Sequence, residues 1–188
     1  MNTTQLASPP VYRLSVDEYE RMAGVLDDDR VELIDGYLVK KMSKNPPHVW
    51  VTDTVAEIMK AKTPGWWCRQ EAPVRIPDFD EPEPDVSVAR GSRDDYRDRI
   101  AEAADVVLAF EVSDTTLDRD QGPKWLAYAK GLIPVYWIVN LVDGQVEVYT
   151  DPGPNGYSTC QVFVSGQEIP VVIEGVVVGQ IAAAVILP

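Results

Sequence analysis

The spacing of apolar and polar positions divides the chain into short helices and strands that follow one another closely. Ser15-Val16-Asp17-Glu18 has the form of a capping box, in which Ser15 caps the helix start and Glu18 reaches back to it. It predicts a helix to about Ala23, closed by Gly24, with Asp27 to Asp29 as a solvated turn. Val31 to Ile34 and Tyr37 to Val39 are strand-like and flank Asp35-Gly36. That dipeptide suits a type I′ turn, so residues 31–42 read as a hairpin. Pro46-Pro47 opens a helix from about His48 to Lys62, with Val51, Val55, Ile58 and Met59 at helical spacing. Pro64-Gly65 stops it. Trp66 to Ile76 is extended but broken at Pro73. Pro77 to Pro84 is an acidic, Pro-rich loop, Asp85 to Ala89 a strand, and Arg90 to Arg99 a charged connector.

Val106 to Val112 is almost continuously apolar, as expected of a central strand covered on both faces. Asp118 to Gln121 leads into a helix from Pro123 to Lys130, with Pro at its first position and Gly131 at its end. Val135 to Val139 is a second buried strand. Gln145 to Thr150, Tyr157 to Val164 and Val171 to Ile173 form a β meander, with turns at Asp143-Gly144 and Asn155-Gly156. Residues 1–11 read as a loose tail. The order of elements predicts a mixed α/β fold over residues 12–188, with a central sheet flanked by helices, an N-terminal hairpin and a C-terminal meander.

Composition adds limits. With 188 residues, 45% hydrophobic and 25% charged, the chain suits one globular domain with its own core. A formal net charge of −13 works against a protein that coats DNA by charge alone. Cys68 and Cys160 are far apart and outside any C-x-x-C pair, and the first ten residues lack the pattern of a secretory signal. Both points suggest a reducing, cytoplasmic setting. The apolar run Ile181 to Leu187 is far too short to span a bilayer. No Walker or dinucleotide glycine motif is present. His48 is the single histidine, which excludes multi-histidine metal sites, and no G-x-S-x-G elbow supports a serine hydrolase.

What changes the picture is acids inside apolar strands. Glu32 lies between Val31 and Leu33, Asp85 opens Asp-Val-Ser-Val, and Glu111 follows Val-Val-Leu-Ala-Phe. Each alone has a plainer reading as a strand-end acid in water or a satisfied ion pair. Together they suit a hard divalent cation, which takes a few carboxylates plus water. Asp85 and Glu111 are separated by enough chain for a return to an adjacent strand. Lys124 shares a helix stripe with Tyr128 and points either inward or, snorkelling, to the surface. His48 shares a stripe with Val51 and Val55; it touches phosphate or Glu32, or only caps its helix. Lys40, Lys41 and Lys44 form a local basic patch that faces either a nucleic-acid backbone or solvent.

At these residues the chain resembles the large bacterial family of restriction-endonuclease-like proteins called Uma-two. The resemblance runs from about residue 14 to the C-terminus. Its carriers are Leu14 to Tyr19, Val31 to Gly36, His48 at a helix start, Pro84-Asp85-Val-Ser-Val88, Phe110-Glu-Val-Ser113, Lys124 to Tyr128, and Gly131 to Val139. It implies a PD-(D/E)xK nuclease core of order α-β-β-β-α-β, with Mg²⁺ or Mn²⁺ as cofactor and nucleic acid, most simply DNA, as substrate. Asp85 and Glu111 would be its metal ligands, Glu32 a further acid, and Lys124 a relocated motif lysine. Ser113 stands at the usual lysine position, and Asn140 where relatives carry an acid. His48, Ser113, Asp120 and Tyr128 are accessory candidates. Two other readings stay open: a non-catalytic nuclease-fold module, homodimerising through Val135 to Val139 and the apolar C-terminus, and a phosphohydrolase of small substrates.

Overall fold

The structure, a computed structural model, describes residues 11–22, 24–26 and 31–188. The tail over residues 1–10, the last predicted residue of the first helix and the turn at Asp27 to Asp29 lie outside the described residues. The first half comprises α1 (Val16–Met22), β1 (Val31–Ile34), β2 (Tyr37–Lys40), α2 (Pro46–Lys62), β3 (Trp67–Gln70), β4 (Val74–Arg75), β5 (Val86–Ala89) and β6 (Ala101–Glu102). There follow β7 (Val106–Ser113), α3 (Leu117–Asp120), α4 (Pro123–Lys130), β8 (Val135–Asn140), β9 (Gln145–Gly153), β10 (Gly156–Val164), β11 (Glu168–Ile173), β12 (Val176–Ala182) and α5 (Ala183–Ile186). A six-stranded sheet runs β10-β9-β8-β7-β5-β3. Only β7 and β8 are parallel within it, joined through α3 and α4, as a crossover requires.

The predicted local signals form as expected. Ser15 N donates to Glu18 Oε2 (2.9 Å) and Glu18 N to Ser15 Oγ (3.3 Å), closing the capping box. Asp35 and Gly36 take φ of 50° and 77°, the left-handed pair that lets β1 turn directly into β2. Helix α2 begins two residues before the predicted His48, because Asn45 is its cap and Pro46 and Pro47 occupy positions that need no N–H partner. Strand β12 and helix α5 go beyond the prediction. The valines of β12 are largely exposed on one edge, so neither alternation nor a continuous buried run marks that strand.

Strands β7 and β8 are buried at every position, since each sheet face carries its own apolar layer. On one face, Phe110, Val112 and Trp137 pack with Val51, Val55 and Met59 of α2 and with Ile169 and Ile181 from the last hairpin. On the other, Ala109, Tyr136 and Ile138 pack with Ala127 and Tyr128 of α4. This corrects the expected dimer surface: Val135 to Val139 is interior, and Ile181, Ala183 and Ile186 are core. The β9–β10 turn is fixed by Gly156, at φ 118°, where an added Cβ would lie 1.7 Å from the Trp125 ring. Gly156→Ala is expected to destabilise the fold by about 3 kcal/mol through forced ring displacement and backbone strain. An unchanged urea midpoint would show that Trp125 repacks freely.

Candidate active site

Strands β1, β5 and β7 and helices α2 and α4 bring the side chains of the site into one cavity. The β5–β7 ladder sets Val86 opposite Phe110. The next rung therefore brings Asp85 beside Glu111. The Val112 amide donates to Asp85 Oδ2 (2.8 Å). The other oxygen, Oδ1, receives Lys44 Nζ (2.7 Å) and lies 3.0 Å from His48 Nε2. Burial raises the Asp85 pKa, but His48 and Lys44 more than offset it and hold the group well below the usual carboxylate range. His48 thus meets Asp85 rather than Glu32. The helix cap comes from Asn45, whose Oδ1 accepts the His48 amide at 3.0 Å.

Glu111 sits deeper. Its Oε1 accepts from Lys124 Nζ (2.8 Å) and from the Tyr128 hydroxyl (2.7 Å), which leaves Oε2 for a further ligand. Lys124 points inward, being 2% exposed. Its ammonium also pairs with Glu32 Oε2 (3.0 Å) and donates to the Glu83 carbonyl (3.3 Å). Lys124 and Tyr128 are one helical turn apart, so α4 presents both to Glu111. Glu32 is fixed in turn by the Glu83 amide (3.1 Å), with Arg119 Nη1 3.4 Å from its other oxygen. Burial pushes Glu111 up to about 8; Asp120, Asp85 and Glu32 add to this and Lys124 opposes it. Burial works against the Lys124 charge, yet Glu111, Glu32 and Asp120 together raise its pKa well above the ordinary value. The surrounding carboxylates thus favour the ammonium form of Lys124.

Two accessory candidates fall behind the site. Ser113 Oγ donates to Asp120 Oδ2 (2.8 Å), as does Thr116 Oγ1 (2.5 Å). Both residues are buried, and neither lines the cavity. Asn140 belongs elsewhere: it donates to Glu147 Oε1 (2.9 Å) and accepts the Asp143 amide (2.9 Å), pinning the β8–β9 turn. The basic patch is also corrected in part. Lys41 pairs with Glu83 (2.5 Å), and Lys44 pairs with Asp85 and Glu71, so two of its three charges are taken by acids.

Asp85, Glu111, Glu32 and Lys124 line one open cavity of about 470 Å³. Its rim includes Lys44, one of the basic-patch lysines, together with Arg119, Glu71 and Glu83, to which residue-by-residue sequence reading assigns no role. The one advance signal for Glu83 is Glu81-Pro-Glu83-Pro-Asp85, acids at alternate positions of an extended segment. Six acidic side chains face four basic ones around the cavity, so it is short of positive charge. Among the described residues, no three His, Cys, Asp or Glu side chains form a ready-made metal cage. Mg²⁺ needs none, since it keeps several waters and binds one or two carboxylates. The hard oxygen donors and the charge deficit fit such an ion.

A polar cavity thus lies at the end of a helix-flanked mixed sheet, lined by the carboxylates of Asp85 and Glu111 and by the buried Lys124. The chain belongs to the Uma2 family, described as "Putative restriction endonuclease", whose model matches residues 16–182. It is similar in fold to the crystal structure of a "putative nuclease belonging to DUF820" from Anabaena variabilis, with TM-score 0.70 and 17% identity over 94% of this chain and 97% of the other. No curated protein matches. Among the described residues, no helix is long and apolar enough to cross a membrane.

Proposed function

We propose that the cavity hydrolyses phosphodiester bonds of nucleic acid with a divalent cation held by Asp85 and Glu111. The observation that carries this reading is the Asp85–Glu111 rung beside a buried Lys124, all lining one cavity deficient in positive charge. A bound Mg²⁺ or Mn²⁺ supplies a water of lowered pKa and charge neutralisation at the phosphate. Asp85 and Glu111 bind; His48 and the Val112 amide orient Asp85, and Tyr128 orients Glu111. Lys124, held in its ammonium form by its carboxylate partners, would stabilise the negative charge that develops on the phosphate oxygens. Glu32 holds Lys124 at its station. A cation held by Asp85 and Glu111 would offset the cavity's excess of acids, which is how an acidic chain would receive a polyanion. Both cysteines are free thiols, which suits a reducing cytoplasm.

The test incubates the protein with single-stranded and duplex DNA, RNA and a small model phosphodiester, with Mn²⁺ and with a chelator. Polynucleotide cleavage that requires Mn²⁺ and disappears in Asp85→Asn is expected. Cleavage in chelator would sink the reading. Turnover of the small diester alone would make the protein a phosphohydrolase, and neither cleavage nor Mn²⁺ binding would make it a binding module.

A further inference from the structure

Both Asp85 oxygens already have partners in this structure, and Oδ1 has two. Oδ2 is taken by the Val112 amide, and Oδ1 by both Lys44 and His48. Lys44 is the loosest of these partners. It comes from the loop between β2 and α2, and its side chain is 29% exposed, against 13% for His48. Its ammonium also lies 3.0 Å from Glu71 Oε1. Glu71 follows the last residue of β3 with φ 47°, a left-handed conformation that non-glycine residues rarely adopt. Its amide donates to the Asp85 carbonyl (3.2 Å). The strained turn therefore ties Glu71 to the backbone of the very residue that Lys44 neutralises.

We infer that Lys44 is the resident counter-cation of Asp85, which a divalent ion must displace, and that Glu71 is the acid that retains Lys44 once displaced. The inference rests on the divalent-cation reading above and adds the residue pair that sets affinity at that site. A second cation at Oδ1 competes with Lys44 for the same lone pairs and repels it. The ammonium then needs another acid within reach of its stem, and Glu71 already touches it. Lys44 thereby lowers affinity for the ion while remaining beside the cavity, where a phosphate group would enter. Lys124 does not fill this role, because Glu111, Glu32 and the Glu83 carbonyl hold its ammonium at once.

Mn²⁺ alone, titrated calorimetrically into the full chain, tests this. Lys44→Met should bind Mn²⁺ about tenfold more tightly than wild type, the ratio expected for losing one competing charge-assisted hydrogen bond. Lys44→Gln should do the same, and Lys44→Arg should stay near wild type. Glu71→Gln should weaken binding several-fold in the wild-type chain, and much less beside Lys44→Met, because Glu71 acts through Lys44. Equal or weaker binding by both Lys44→Met and Lys44→Gln, with wild type still binding, would overturn the inference and leave the metal reading standing. Absence of binding in wild type and in both variants would overturn the two together.

Discussion

Glu111→Gln is expected to lower the proposed Mn²⁺-dependent cleavage on the order of a thousandfold, the scale for removing a main electrostatic element of a water-excluded site. The fold should survive. The amide oxygen still accepts from Lys124 and Tyr128, which both use Oε1 in the native chain. Glutamine also resembles the protonated acid that burial favours, so stability should change by only about 1 kcal/mol. Glu111→Ala is a poorer probe. It strips a buried ammonium of its nearest partner and leaves the Tyr128 hydroxyl unpaired, at a cost of about 3–5 kcal/mol. Cleavage assays and urea unfolding on both variants separate chemistry from folding. Wild-type cleavage by Glu111→Gln would remove Glu111 from the reaction.

Lys124→Met should produce the largest loss of stability, about 3–5 kcal/mol at pH 8, because it leaves two buried carboxylates without their shared cation. The loss should depend on pH. Glu111 in the folded chain already titrates near 8, against an ordinary 4.5, and removing Lys124 raises it further. Between those values the folded chain binds more protons than the unfolded one, so stability falls as pH rises. The variant should lie at a constant offset below wild type up to about pH 7, where Glu111 is protonated in both folded chains, and should fall further behind from about pH 8 upward. Urea midpoints across that range check it. A loss that does not vary with pH would mean that Lys124 contributes by packing its stem and not by its charge. Cleavage should fall as well, since among the described residues no other ammonium pairs with Glu111 Oε1.

Much of the architecture was legible because local rules act on adjacent residues. The capping box at Ser15, the Asp35-Gly36 turn and the apolar runs of β7 and β8 each need only their own segment to be read. The carboxylates Glu32, Asp85 and Glu111 stood out for the same reason, as charges set in apolar strands. Strand β12 escaped because its exposed valines satisfy neither strand pattern, and α2 began early because Asn45 supplies a cap that the prolines conceal.

The direction of side chains across elements was not legible. Periodicity alone left Lys124 between core and surface; the acids of β1 and β7 fix it, because a buried ammonium persists only where carboxylates pair with it. Sequence placed His48 on an inward stripe, but only the arrival of β5 beneath α2 made Asp85 its partner. The lysines of 40–44 read as a patch for an external polyanion, yet Asp85, Glu71 and Glu83 come from strands and loops far along the chain to claim two of them. Ser113, Asp120 and Asn140 looked like neighbours of the site by sequence position, and strand alternation and turn geometry carried them behind or away from it. The sequence by itself determined which segments become helices and strands, and which acids stand inside them. Only the tertiary structure decided which charge meets which, because electrostatic partners in a folded chain are set by packing across layers and not by distance along the backbone.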